Sequence, residues 1–170
     1  MPRNDFEISL VRAYNIFFET NGIRGIAYRQ KQSRYTYQPC DIVVDSLDPE
    51  WYLAIEAKSV NTRKTRKLYF SQHFTTDESG IHQLDRMNIF VRRSGRRGFL
   101  AVELRRGPGR SKEAWMIPLS EVLRAKNAGC SGLSLETIGS VYNSIKLVRA
   151  GEEYNIPKID AGMDDSDNTF

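Results

Sequence analysis

The sequence predicts an α/β domain in which a central mixed β-sheet is flanked by helices. Three observations lead there. Short apolar runs that suit buried or half-buried strands recur at CDIVVDS (40–46), WYLAIEAKS (51–59), GFLAVELRR (98–106) and EAWMIPL (113–119). Residues 4–20 and 81–91 instead carry apolar side chains at three- and four-residue steps, the period of a helix. The resulting order of helix, three strands, helix and two strands is that of one domain around a mixed sheet.

Each element has its own justification. In 4–20, Phe6, Leu10, Tyr14, Phe17 and Phe18 form one stripe, with Asn4 as the N-cap and Asn21-Gly22 as the stop. Residues 23–29 give a first strand. KQSRYTYQP has no apolar period and reads as a loop or a projecting hairpin. The strands at 40–46 and 51–59, separated by a turn with Asp48-Pro49, form a hairpin. Residues 61–80 read as an irregular ordered loop. Ile81, Leu84, Met87, Phe90 and Val91 mark the second helix, which ends near Ser94-Gly95. RGPGRS turns between the last two strong strands, and Ser120 caps a short helix through Leu123. Residues 133–150 read as one helix plus loops. A single domain is expected over 1–157, with an acidic, disordered tail at 158–170.

Composition narrows the class of protein. At 170 residues, 40% hydrophobic and 27% charged, the chain suits one well-packed soluble domain. It has no apolar run of membrane-spanning length, and MPRNDFEISL lacks the features of a signal peptide. An intracellular, cytoplasmic protein with reduced Cys40 and Cys130 is therefore expected. The net charge of +4 is unevenly spread. Without residues 158–170, 24 basic residues face 17 acidic ones, a formal +7. Bases cluster at 29–34, 63–67, 92–97 and 105–112, several beside aromatic residues, which is the footprint of a nucleic-acid binder.

The chemistry is concentrated in YLAIEAKSV (52–60). Glu56 and Lys58 lie two residues apart in an apolar strand and so project from one face. Asp41 opens the preceding strand. In an antiparallel pair the start of one strand faces the end of its neighbour, which brings Asp41 towards Glu56. Two adjacent carboxylates repel unless a cation lies between them, and hard oxygen donors suit Mg²⁺ or Mn²⁺. Lys58 on the same face would orient a water or neutralise a phosphate. Each residue alone has an ordinary explanation: Asp41 as a strand-start cap, Lys58 as a snorkelling partner of Glu56.

Asp41, fourteen residues, then Glu56-Ala57-Lys58 resembles the motif of the PD-(D/E)xK nuclease superfamily, with Pro39 displaced by one position from the usual Pro-Asp pair. FSQHFTTDESGIHQLDRM (70–87), GFLAVELRR and EAWMIPLSEV are similar to the later elements of bacterial RecU-type Holliday junction resolvases. The Glu-Ala-Lys strand also resembles archaeal Hjc-type resolvases. The resemblance spans roughly residues 4–124. It implies a restriction-endonuclease-like core and a Mg²⁺-dependent endonuclease, with Mn²⁺ as a substitute, that nicks four-way DNA junctions in pairs.

By the same resemblance, Asp41 and Glu56 match metal ligands, Lys58 the catalytic lysine and Glu7 a further acid that could hold metal. Asn4-x-x-Glu7 is also a capping box. Gln83 matches a residue that would orient Lys58 or a phosphate, while His73 and His82 are expected to be packing residues. Arg29, Lys31, Arg34, Tyr35 and Tyr37 would contact phosphates or stack on unpaired bases, and Arg63, Lys64, Arg66 and Lys67 form a second basic patch. A homodimer is expected, because a two-fold junction needs two sites at fixed separation. Its surface would be the apolar face of the first helix or of 81–91. Two alternatives stay open: a restriction- or repair-type nuclease on duplex or flapped DNA, and a DNA-binding module without catalysis.

Overall fold

A computed structural model of the protein describes residues 5–31 and 34–158. Helix α1 (Asp5–Asn21) is followed by strands β1 (Gly25–Arg29), β2 (Ile42–Ser46) and β3 (Leu53–Asn61). The short strand β4 (Lys67–Tyr69) and the one-turn helix α2 (Phe70–His73) lead to α3 (Gln83–Ser94). Then come β5 (Arg97–Arg105), β6 (Glu113–Pro118) and α4 (Leu119–Asn127). The short strand β7 (Gly132–Ser134) and the terminal strands β8 (Ile145–Ala150) and β9 (Glu153–Asn155) complete the described chain.

Seven strands form one mixed sheet in the order β1-β2-β3-β5-β6-β8-β9, and β4 pairs with β7 in a separate ribbon. Within the large sheet β3 and β5 are parallel, from Leu53↔Arg97 to Asn61↔Arg105, and the other neighbours are antiparallel. A parallel pair needs a crossover, and here the crossover carries β4, α2 and α3.

Alternation along the central strands divides the core between the two faces of the sheet. Ile42, Val44, Leu53, Ile55, Phe99 and Ala101 point towards α1 and meet Phe6, Leu10, Ala13, Tyr14 and Phe18. Trp51, on the single 3₁₀ turn before β3, packs its ring against Tyr14, Phe17 and Phe18. On the opposite face, Val43, Ala54, Leu100, Val102 and Ile117 meet Leu84 and Met87 of α3 and Val122 of α4. Each such large side chain contributes about 2 kcal/mol through burial. With both faces covered, β3 and β5 can be almost wholly apolar, which is why a charged residue within them stands out.

Several boundaries and one region differ from the sequence reading. Residues 133–150 hold most of β7 and all of β8 rather than a helix, and β9 follows. In IKLVRA only Leu147 is fully buried, so the segment carries little period of its own and takes its form by pairing with β6. The 61–80 stretch is not wholly irregular, since β4 finds its partner in β7 some 65 residues later. Gly132 permits that pairing, because a Cβ there would run into the Leu68 carbonyl. Helix α3 continues to Ser94 and is closed by Gly95 at φ 73°, a left-handed cap.

Residues 34–40 contain no strand, so the projecting hairpin is absent from the described part of KQSRYTYQP. The Asn4 cap and the acidic tail from 159 onward lie outside the described residues. Among those described, no helix is long and apolar enough to cross a membrane.

Candidate active site

The antiparallel register Ile42↔Ile55 puts Asp41 opposite Glu56 at the point where the β2–β3 ladder opens. Asp41 closes that ladder itself: its backbone N–H donates to Ile55 O at 3.1 Å, and its Oδ2 accepts from Ala57 N at 2.9 Å. Gln38 braces it from the loop side, donating Nε2 to Asp41 Oδ1 at 3.2 Å and to Cys40 O at 2.8 Å. Asp41 is thereby fixed by backbone and loop while staying partly accessible.

Glu56 is 2% exposed. Its Oε1 accepts from Lys58 Nζ at 2.9 Å and from Gln83 Nε2 at 2.5 Å. Burial, followed by the neighbouring Asp41 charge, pushes its carboxyl up to about 7. A hydrogen bond from the protonated carboxyl to Asp41 acts in the same direction, while Lys58 opposes both. Lys58 sits with its ammonium 5.0 Å from the Phe74 ring centroid, so an aromatic face from the crossover holds the cation in place.

Gln83 opens α3 and is locked from the other side: its Oε1 accepts from Thr75 N and its own N–H donates to Thr75 O. His82 supplies the cap of that helix, accepting from Leu84 N at Nδ1 and facing Phe70 O with Nε2. His73 Nδ1 accepts from Tyr69 N. Both imidazoles are thus structural. Glu7 approaches from α1 with its carboxylate on Arg29 Nε at 2.8 Å. Burial and the Asp41 charge raise its pKa above the usual carboxylate value, against the pull of Arg29 and Lys58.

The five residues singled out by the motif, Glu7, Asp41, Glu56, Lys58 and Gln83, therefore form one electrostatically connected group. They do not form a preassembled metal cage: among the described residues no three His, Cys, Asp or Glu side chains are set as one. Glu7 is turned to Arg29, and Glu56 gives one oxygen to Lys58 and Gln83. The Asp41–Glu56 pair still fits Mg²⁺ in donor chemistry, since that ion takes one or two carboxylates and completes its shell with waters and phosphate oxygens.

Three of the four basic clusters gather at the end of the sheet that carries the carboxylates. Arg29 pairs with Ile42 in the ladder, and Gln30 N donates to Asp41 O. Arg63, Lys64 and Arg66 are exposed just beyond the end of β3, and Lys67 reaches Ser131 Oγ. Thr62 N donates to Arg105 O and Gly107 lies against the Arg63 side chain, so this loop and the 105–112 turn form one surface. Lys31, Arg34, Tyr35 and Tyr37 are exposed on the β1–β2 connection.

The fourth cluster lies at the other end, where Arg96 binds Val44 O and Asp45 and stacks on Tyr52 at 4.0 Å. Sequence reading missed Gln38, Phe74 and the 105–112 bases as neighbours of the site. Only the last had a signal, the density of arginine in RRGPGRSK.

No family model matches the chain, and no curated protein does. Among solved structures it is similar to that of Archaeoglobus fulgidus Hjc, a Holliday junction resolvase from an archaeal hyperthermophile. The two are 20% identical over 79% of this chain and 93% of that one, with a TM-score of 0.44. The mixed sheet flanked by helices described above stands on its own topology.

Proposed function

We propose that the protein is a metal-dependent endonuclease acting on branched DNA, with the four-way junction as its substrate. The observation that carries this reading is the Asp41–Glu56 pair: two carboxylates held side by side at a strand opening, one of them buried, with Lys58 beside them. Lys58 offsets part of the repulsion in this pair, and a divalent cation shared by both carboxylates would offset it more fully. The resemblance of Asp41…Glu56-Ala57-Lys58 to the PD-(D/E)xK motif supports the same chemistry.

In this reading Asp41 and Glu56 hold Mg²⁺, with Glu7 as a further acid reached through water. The ion, when bound, supplies a water of lowered pKa and a counter-charge for the phosphate. Lys58 offers its ammonium group to the non-bridging phosphate oxygens. Gln83 keeps Glu56 in one orientation, and Gln38 does the same for Asp41. The basic loops at 29–34, 61–67 and 105–112 bind backbone phosphates on either side of the scissile bond.

The enzyme works as a homodimer, giving two nicks related by two-fold symmetry. The apolar face of α1 is consumed by its own core, which leaves other surfaces to pair the subunits.

The test is a cleavage panel of four-way junction, flapped duplex and linear duplex, each with and without Mg²⁺. Junction cutting that requires Mg²⁺ and is lost in Asp41→Asn is expected. Equal rates on linear duplex would assign the protein to the restriction or repair type instead. Absence of cutting on every substrate, with binding retained, would leave a DNA-binding module.

A further inference from the structure

A groove of about 520 Å³ lies between the 37–39 segment and the outer face of α3; it runs from Arg86, one turn beyond Gln83, past Ile89, Phe90 and Arg93 to Ser94 at the far end of the helix, with Tyr37 and Pro39 on its other side. We infer that this groove takes an unpaired nucleobase of the DNA strand being cut, and so reads whether the substrate is branched. The inference rests on the nuclease reading above and adds the source of its selectivity.

The lining has the chemistry of a base slot. Tyr37 is exposed, and the Arg86 guanidinium lies over its ring at 4.7 Å. Phe90 and the half-exposed Ile89 offer apolar surface, and Arg93 stands exposed further along the helix. The lining holds two arginines and no acid. Asp77 pairs with Arg86 from outside the groove at 3.1 Å, and Ile81 O accepts from Arg86 Nη1, so the guanidinium is fixed in place. Its Nε is buried and has no hydrogen-bond partner among the described residues. A flat aromatic ligand bearing acceptors and an adjoining phosphate suits these features together, whereas an apolar peptide brings no counter-charge to the exposed Arg93.

Position decides which base enters. One wall is tied to Asp41 through Gln38, which lies between the two lining residues Tyr37 and Pro39. The other is tied to Glu56 through Gln83, one turn before Arg86 on the same helix. The Arg86 end of the groove is therefore the end nearer the carboxylates, where a base can enter from a strand whose phosphate reaches them. In continuous duplex its bases are stacked on both sides and paired, and extraction is costly; at a branch point the stack is interrupted, so opening a pair and extruding its base costs less.

The test uses synthetic four-way junctions with 2-aminopurine at the branch point or in a paired arm, bound to the full chain in EDTA so that the DNA stays uncut. Quenching on binding is expected for the branch-point probe and not for the arm probe. Ile89→Glu, at an exposed position of a helix that tolerates Glu, is expected to abolish the quenching. It should also lower the preference for junction over linear duplex about tenfold, in line with the loss of one base–aromatic stack.

Unchanged quenching and preference in Ile89→Glu would overturn the inference. So would an Ile89→Glu protein whose only change is its oligomeric state, since the groove would then be a contact between copies. Cleavage in Mg²⁺ is scored separately. Junction cutting without quenching removes the base slot and keeps the nuclease; quenching without cutting on any substrate keeps the slot and removes the nuclease.

Discussion

Gln83 Nε2 donates to Glu56 Oε1 at 2.5 Å, tying the first residue of α3 to the most deeply buried acid of the candidate site. The same oxygen accepts from Lys58, so the carboxylate has one engaged and one less engaged side. Gln83 acts on Glu56 as an outer partner acts on a metal ligand, by fixing its orientation.

Replacing Gln83 by Ala should therefore lower cleavage by roughly ten- to a hundredfold. Stability should fall by only about 1 kcal/mol, the net worth of an ordinary hydrogen bond. Single-turnover cleavage and a thermal melt on the same preparation check both halves. A Gln83→Ala protein with full activity would remove the residue from the positioning role.

Glu56 makes stability depend on pH. Its folded-state value, about 7, lies above the ordinary 4.5, so the folded protein holds a proton that the unfolded chain has released between those values. The contribution of Glu56 to stability is fully present below about 4.5 and is lost as pH rises through about 7. Glu56→Gln keeps the shape and removes the charge. It should be more stable than the parent by roughly 2–3 kcal/mol at pH 8 without metal, with the gap closing below the unfolded value. Denaturant melts from pH 4 to 8 in EDTA measure this, and Lys58, left without its partner, sets how much of the gain is realised.

Mg²⁺ should reverse that penalty. An ion shared by Asp41 and Glu56 competes with the Glu56 proton, so its binding is tighter at pH 8 than at pH 5.5 and releases a proton in the lower range. Saturating Mg²⁺ should raise the melting temperature more at pH 8, and Asp41→Asn should lose the effect. An equal shift in the variant would mean that the ion binds elsewhere.

The sorting of basic clusters gives a prediction in salt. Arg63, Lys64 and Arg66 are exposed at the end of the sheet that carries Asp41 and Glu56, whereas Arg92 is exposed at the opposite end. Neutralising the first three should flatten the dependence of log affinity on log salt by roughly 0.7–0.9 per lost phosphate contact. Arg92→Gln should leave the slope unchanged. Fluorescence-anisotropy titrations of a four-way junction at several salt concentrations provide the comparison.

How far the site was legible in the sequence depended on the range of the interactions. Asp41 opposite Glu56, and Glu56 beside Lys58, follow from strand alternation and from the hairpin, both local rules. Gln38 was invisible because its contacts are made by a loop with no period. Phe74 could not be linked to Lys58 without the path of the crossover.

The same contrast runs through the fold. The helices and the five strongest strands carry their own patterns. The GLS segment and IKLVRA are strands because of the partners they meet, Leu68 and Ala114 among them. Over 133–150 the sequence read alone pointed to one helix plus loops, and tertiary pairing decided otherwise.

The parallel pairing of β3 with β5 also bears on when the protein becomes active. Asn61 meets Arg105 only after the intervening crossover has closed, and that crossover delivers Gln83 to Glu56 and Phe74 to Lys58. Closing so long a loop is entropically demanding and belongs to the slow, late part of folding. A nascent or partly unfolded chain thus has the Asp41–Glu56 hairpin but lacks the groups that orient its carboxylate and lysine. Under the proposed function, cutting waits for β5 to dock beside β3, and junction cleavage would then report that this crossover has closed.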